Sequence, residues 1–358
     1  MATDKPVIVN DLVNDPRYLA YKFNFDTETV SFLPIESGEI RRVTSLDRRD
    51  FDSSRQFLEA PLAELVDLAN ASNEELQARP PRFIFHTAFC SSTFLSRCLD
   101  VEGVTVGIRE PQLLLDAANA KRLQWRSRTT KLEFKHMPGL ALKLLQKHAS
   151  ATETLVIKPI NSVNNIISEL LQITGSAKSL MLYTDARNFA LSTLRKREGG
   201  KQTVRSMFDL LRCDFPHLAG LQLTHTIHMT DLRVIMTLWR LQIEQAKQAL
   251  QQFAPGNRMA SVYGEELIRN PLQSIEAANR FLELGISSEQ IRTIVSSGET
   301  AVDAKNRDKQ FSFEKRQKQY EPLEHFYGDD LDDGLEWLVR NNPGTELHPA
   351  LSGALEVG

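Results

Sequence analysis

Cysteine is scarce in this 358-residue chain. Cys90, Cys98 and Cys213 are the only three, and their spacing fits neither a disulfide framework nor a metal site. Excess charge is also missing. The 43 Lys and Arg against 46 Asp and Glu leave a formal net charge of -3, which argues against the broad positive field of a general nucleic-acid binder. No apolar run approaches the roughly 18 residues of a membrane span. The start, "MATDKPVIVND", has no basic region followed by an apolar one, so it does not read as a secretory leader. What is left is the composition of a soluble globular protein, 41% apolar and 25% charged, expected in the cytoplasm. The chain is long enough to bury a sizeable core.

Along the chain, "YLAYKFNFDTETVSFLPI" (18–35) alternates as a hairpin does, and "LEAPLAELVDLANASNEELQAR" (58–79) has helical spacing, with Pro61 at a helix start or break. Pro80 and Pro81 end that N-terminal addition, 1–79. A strand–helix rhythm follows: strands at 82–88, 103–111, 152–159 and 177–185, with helical stretches such as 163–173 and 188–197. Strands separated by helices of this length predict βαβ units, a mostly parallel sheet and a three-layer α/β fold with additional helices. The long amphipathic stretch 230–254 sets Leu232, Ile235, Leu238 and Trp239 on one face. A last strand and a helix capped by Gly285 come next. The core is expected to end near 318; residues 319–358 then carry a helix over 330–342 and a tail whose last dozen residues hang loose.

A more local absence carries the functional question. In "FIFHTAFCSSTFLSRCLD" (83–100) an apolar strand runs into a tight polar turn and then a helix, as in a phosphate loop, yet the turn holds neither glycine nor lysine. G-x-x-x-x-G-K-[ST] is absent, which argues against an ordinary ATPase or GTPase, and so is G-x-G-x-x-G. Backbone N–H groups at Cys90, Ser91 and Ser92, with hydroxyls of Ser91, Ser92 and Thr93, form a candidate anion site. A simple helix cap explains the same residues.

Ligands of open α/β sheets sit beyond the carboxyl ends of the strands, and other notable residues stand there. Glu110, held out of the helical region by Pro111, has the chemistry to take a proton from an attacking hydroxyl; it reads equally as a helix N-terminal carboxylate or as a partner for Arg109. Lys158 ends an apolar strand and can neutralise charge on a transferring group, or be a solvated lysine. The basic run Lys121, Arg122, Arg126, Arg128, Lys131 and Lys135, with Glu133 the one acid, is a solvated face or a steering surface for an anion. Trp125 within it reads as an anchor. His86, His225 and His228 do not form a metal set.

Taken together, the segments resemble the sulfotransferase superfamily over roughly 80–318. "FIFHTAFCSSTFLS" is similar to its 5′-phosphosulfate loop, "YTDARNFALSTLRK" to its 3′-phosphate segment, "VYGEELIRNPLQSIEAANRFLELG" to its E-D-L, D-P, F-L-G-L stretch, and "AKNRDKQFSFEKR" to its late basic segment. The resemblance implies a P-loop-like fold that binds 3′-phosphoadenosine 5′-phosphosulfate and moves its sulfuryl group to a hydroxyl of a small molecule or carbohydrate, without a metal. It assigns Cys90, Ser91, Ser92 and Thr93 to the 5′ end, Ser192 and Arg187 to the 3′-phosphate, Lys305 to the late basic contact and Glu110 to the base. Two departures stand out. The loop's cation is replaced by Cys90, and Thr184 stands where an arginine is usual. Lys158 and the basic run are expected to restore the missing charge. Two other functions stay open: a degenerate relative that binds a nucleotide or partner without turnover, and a nucleotide-dependent phosphotransferase. A homo-oligomer is left open too.

Overall fold

The computed structural model describes residues 8–36, 38–43, 45–46, 55–218, 228–297, 302–303, 306–310 and 313–356. Its principal strands are β1 (Tyr18–Asn24), β2 (Thr29–Pro34), β3 (Leu58–Pro61), β4 (Arg82–His86), β5 (Thr105–Arg109), β6 (Thr154–Lys158), β7 (Ser179–Tyr183) and β8 (Met259–Tyr263). Its principal helices are α1 (Ser92–Cys98), α2 (Gln112–Arg122), α3 (Met137–Gln146), α4 (Ile167–Ile173), α5 (Ala186–Leu194), α6 (Arg197–Leu211), α7 (Asp231–Phe253), α8 (Gly264–Arg269), α9 (Pro271–Leu282), α10 (Ser288–Ser296) and α11 (Phe313–Asn341). Five strands form a parallel sheet in the order β5-β6-β4-β7-β8, flanked by helices, as the strand–helix rhythm predicts. Among the described residues no helix is long and apolar enough to cross a membrane.

The chain divides into two compact units, one of residues 1–83 and 99–177 and the other of 84–98 and 178–358. In the first, the register of β5 on β6 runs from Thr105 opposite Thr154 to Arg109 opposite Lys158. That match brings the residues just past both strand ends side by side. Arg109 is not free to serve a site. Its buried guanidinium pairs with Asp100 at 2.9 Å and donates to the carbonyls of Arg41 and Val43 at 2.8 and 3.1 Å. It thereby satisfies the end of the short helix Glu39–Arg42.

The N-terminal hairpin of this unit is present, and it gains a third strand. Leu58–Pro61, read from its spacing as part of a helix, pairs antiparallel with β2, and only short helical turns follow. Pro61 closes an edge strand, where a missing N–H costs little. The basic stretch is folded back on the hairpin. Glu28 accepts bonds from the Ser127 hydroxyl, the backbone N–H groups of Arg128 and Thr129, and the Thr129 hydroxyl. Trp125 lies 4.8 Å from the Phe25 ring, as an anchor would. Lys121 pairs with Glu169, and Arg126 and Lys135 pair with Glu133.

In the second unit β7 and β8 pair in parallel from Ser179 and Met259 to Tyr183 and Tyr263. The amphipathic reading of α7 holds for Ile235, Leu238 and Trp239, which are buried, while Leu232 is half-buried; the indole N–H donates to the Thr184 carbonyl at 2.8 Å. Three readings are corrected. The left-handed residue that ends α9 is Glu283, not Gly285, because Glu283 and Leu284 N–H groups turn back onto the carbonyls of Arg280 and Asn279. The last helix starts at Phe313 rather than 330, carrying the end of the charged run and Pro322 within it. The tail does not hang loose. Gly353 and Leu355 hydrogen-bond along Ser261 of β8, and Leu351 is buried.

Candidate functional site

Within the first unit, Glu110 and Lys158 meet. The Glu110 N–H donates to the Lys158 carbonyl at 2.6 Å, extending the β5–β6 ladder by one bond. The Lys158 ammonium donates to Glu110 Oε1 at 2.7 Å, and both side chains are buried. Glu110 takes a left-handed φ of 52°. Pro111 does keep it out of the right-handed helical region, but into the left-handed rather than the extended one. A non-glycine residue in that conformation costs about 1–2 kcal/mol, and such strain collects at functional sites. The carboxylate's partner is thus Lys158, not Arg109.

Within the second unit, the loop between β4 and α1 takes left-handed backbone at three positions. Ala88, Phe89 and Ser91 have φ of 62°, 52° and 64° without a glycine among them. Successive N–H groups in alternating left- and right-handed backbone converge into an anion-binding concavity. The Thr87 N–H is used by the Leu182 carbonyl at 2.9 Å, and the Ala88 N–H by His86 Nδ1 at 3.0 Å. Among the described residues the N–H groups of Phe89, Ser91, Ser92 and Thr93 meet no acceptor. Thr87 Oγ1 is buried without a partner among the described residues. The loop rests on Gly264: a Cβ there would stand 2.5 Å from the Cys90 carbonyl oxygen, so that position admits glycine alone.

A cation is set against this loop, and it comes from α11. Arg316 donates from Nη1 to Ser91 Oγ at 3.1 Å and from Nη2 to the Phe89 carbonyl at 3.3 Å and Ser192 Oγ at 3.4 Å. Its Nε donates to Tyr320 OH at 2.8 Å, and Tyr320 OH and Ser192 Oγ are 2.5 Å apart. Arg316 is 4% exposed and ion-paired with buried Glu265 at 2.9 Å. A second cation, exposed Lys196, stands 4.3 Å over the Phe89 ring, one helical turn beyond Ser192.

Ser91 and Ser192, expected at opposite ends of one donor, therefore share Arg316. Cys90 is buried beneath the loop, Ser92 is buried, and Thr93 is half-buried in the first turn of α1. Arg187 turns elsewhere, to Glu324 at 3.0 Å and Asp332 at 2.7 Å. Lys305 and His225 lie outside the described residues. Asp185 caps α5, accepting from the Asn188 N–H at 2.8 Å and from Tyr263 OH at 2.6 Å. No group of three metal-ligating side chains occurs among the described residues. A cleft of about 380 Å³ in this unit, lined by Lys201, Asp231, Arg233 and Trp337, contains none of the loop residues.

Sequence reasoning missed Arg316, Tyr320 and Glu265. Arg316 ends the basic segment "AKNRDKQFSFEKR", and only its spacing of four from Tyr320 sets it apart from Lys315. That spacing places the two on one helix face.

No family model and no curated protein matches the chain. Among solved structures it is similar to a sulfotransferase domain from the curacin biosynthetic pathway, at 17% identity over 59% of this chain and 77% of that one, with a TM-score of 0.39. It is similar also to a sulfotransferase from Mycobacterium avium, at 12% identity over 74% and 80% of the two chains, with a TM-score of 0.40. Superpositions this loose carry no residue roles across.

Proposed function

We propose that the chain is a sulfotransferase that takes the sulfuryl group of 3′-phosphoadenosine 5′-phosphosulfate and passes it to a hydroxyl of a small molecule or carbohydrate. The observation that carries this reading is the loop Thr87–Thr93, with three left-handed residues, four N–H groups that meet no acceptor among the described residues, and an arginine against it. Those features suit an anionic group that accepts several hydrogen bonds at once. Ser192, sharing Arg316 with Ser91, extends the same polar surface toward a second anionic group.

In the proposed reaction Glu110 accepts the proton of the acceptor hydroxyl as the new O–S bond forms. The S–O bond to the 5′-phosphate breaks, and the electron pair leaves with adenosine 3′,5′-bisphosphate. Lys158 positions the carboxylate through its 2.7 Å bond and offsets its charge. Only the chain's own side chains act in these steps.

Calorimetric titration with adenosine 3′,5′-bisphosphate tests the donor site, with adenosine 5′-monophosphate and magnesium–ATP as controls. Tight binding that requires the 3′-phosphate supports the reading, and preference for magnesium–ATP would favour a phosphotransferase instead. Glu110→Gln is expected to lower turnover about 10²–10⁴-fold while leaving bisphosphate affinity within about twofold. A second reading, donor binding without turnover, draws on the fact that Glu110 is already occupied by Lys158. Binding with no sulfated product across a panel of hydroxyl acceptors would favour it.

A further inference from the structure

We propose that Glu265 is the counter-ion that sets the anion affinity of the loop, so that an anion and a proton enter this site together. The proposal rests on the reading of the loop as an anion site and adds its regulation. Arg316 touches the loop at Ser91 and Phe89, yet its charge is matched by Glu265 2.9 Å away, and both are buried. With Glu265 ionised the pair offers an incoming anion hydrogen bonds but no net charge. With Glu265 neutral the Arg316 charge faces the loop unopposed.

Glu265 is poorly held as a carboxylate. Oε1 has Arg316 and, at 3.4 Å, the Thr184 hydroxyl. Oε2 is buried with no partner among the described residues. Burial pushes its carboxyl above the ordinary value, against the pull of Arg316, and the charge of Asp185 pushes the same way. The other groups around it are the Tyr263 hydroxyl at the end of β8 and, on its own helix, Arg269, which pairs with Glu266 at 3.5 Å. From α11 it faces Arg316 with Tyr320, and behind Arg316 lies the Cys90 thiol. Of these carboxylates, Glu265 alone is bonded to the cation that reaches the loop.

An anion at the loop disfavours ionised Glu265, so binding takes up a proton, and affinity must rise as pH falls. One linked proton gives a slope of up to about tenfold per pH unit. Sulfate is the probe, because it stays divalent from pH 5 to 8 and any slope belongs to the protein. Its affinity is measured across that range for the natural chain and for Glu265→Gln, which is neutral but still able to accept from Arg316. Far-ultraviolet circular dichroism checks that both are folded.

The expected result is sulfate affinity that rises toward low pH in the natural chain. The variant should show a flat profile and bind at least about tenfold more tightly at pH 8. Sulfate binding that is flat with pH in the natural chain, or weaker in the variant at pH 8, overturns the role of Glu265 while leaving the anion site standing. No binding of sulfate or adenosine 3′,5′-bisphosphate to either protein at any pH overturns the anion site, and this proposal with it.

Discussion

Arg316 is the residue on which the reading of the loop turns, because a loop without lysine needs a cation from elsewhere in the chain. Arg316→Met keeps most of the stem and removes the charge. A charge-assisted bond contributes about 1.5–3 kcal/mol, so affinity for adenosine 3′,5′-bisphosphate is expected to fall roughly ten- to a hundredfold in calorimetry. Unchanged affinity would remove Arg316 from the site. Glu28 supports a different prediction, on stability. Burial pushes its carboxyl up, but the bonds from Thr129, Arg128 and Ser127 outweigh it and bring the value from 4.5 down to about 2. Its contribution is therefore complete above pH 4.5 and is lost as pH falls toward 2. Glu28→Gln should cost about 2 kcal/mol at pH 7 and little at pH 2, as read by urea unfolding at both. Residues of this kind were unevenly legible in the sequence. Glu110 and Lys158 stand out because strand ends and Pro111 mark them locally. Arg316 and Glu265 do not, because their meaning lies in a contact between residues 51 positions apart.

Elements were more legible than their boundaries. The parallel strands announce themselves as short apolar runs between helices, since a strand buried on both faces must be apolar throughout. β3 was hidden because "LEAPLAEL" satisfies a helical spacing as well as a strand, and only pairing with β2 decides between them. The loop after β4 taught the opposite lesson. Absence of glycine predicts avoidance of left-handed backbone, yet Ala88, Phe89 and Ser91 adopt it, held by His86 on one side and by Gly264 beneath. The glycine needed for close approach sits in the supporting element instead of the loop. Gly264→Ala forces a Cβ to within 2.5 Å of the Cys90 carbonyl, so the loop must shift. A cost of about 1–3 kcal/mol is expected, with bisphosphate affinity lowered about tenfold or more. Loss of affinity at full thermal stability would mean that Gly264 serves the ligand directly rather than the loop.

At the scale of the whole chain, the near balance of charge means that any attraction for an anionic donor has to be local. In the proposed reading Arg316, against Ser91, and Lys196, over the Phe89 ring, would provide it. The same scale shows a use for the tail that composition does not reveal. "LHPALSGALEVG" is broken by Pro349 and Gly353 and does not look like a strand, but Ser261 of β8 donates its N–H to Gly353 at 2.8 Å and accepts from Leu355 at 2.9 Å. The Ala186 N–H donates to Leu347 at 3.0 Å. β8 closes one side of the five-stranded sheet, and an uncovered edge strand is a template for pairing with another chain. Ending the chain at Asn342 uncovers backbone groups at Ser261 and removes the buried side chain of Leu351, whose loss alone is expected to cost about 2–5 kcal/mol. The shortened chain should melt several degrees lower and, in light scattering after size exclusion, form larger species as concentration rises. Leu351→Ala in the full chain separates the two causes. It should lower the melting temperature while leaving the mass unchanged, since the edge remains covered. Equal association by both variants would mean that lost packing, not the bare edge, drives it.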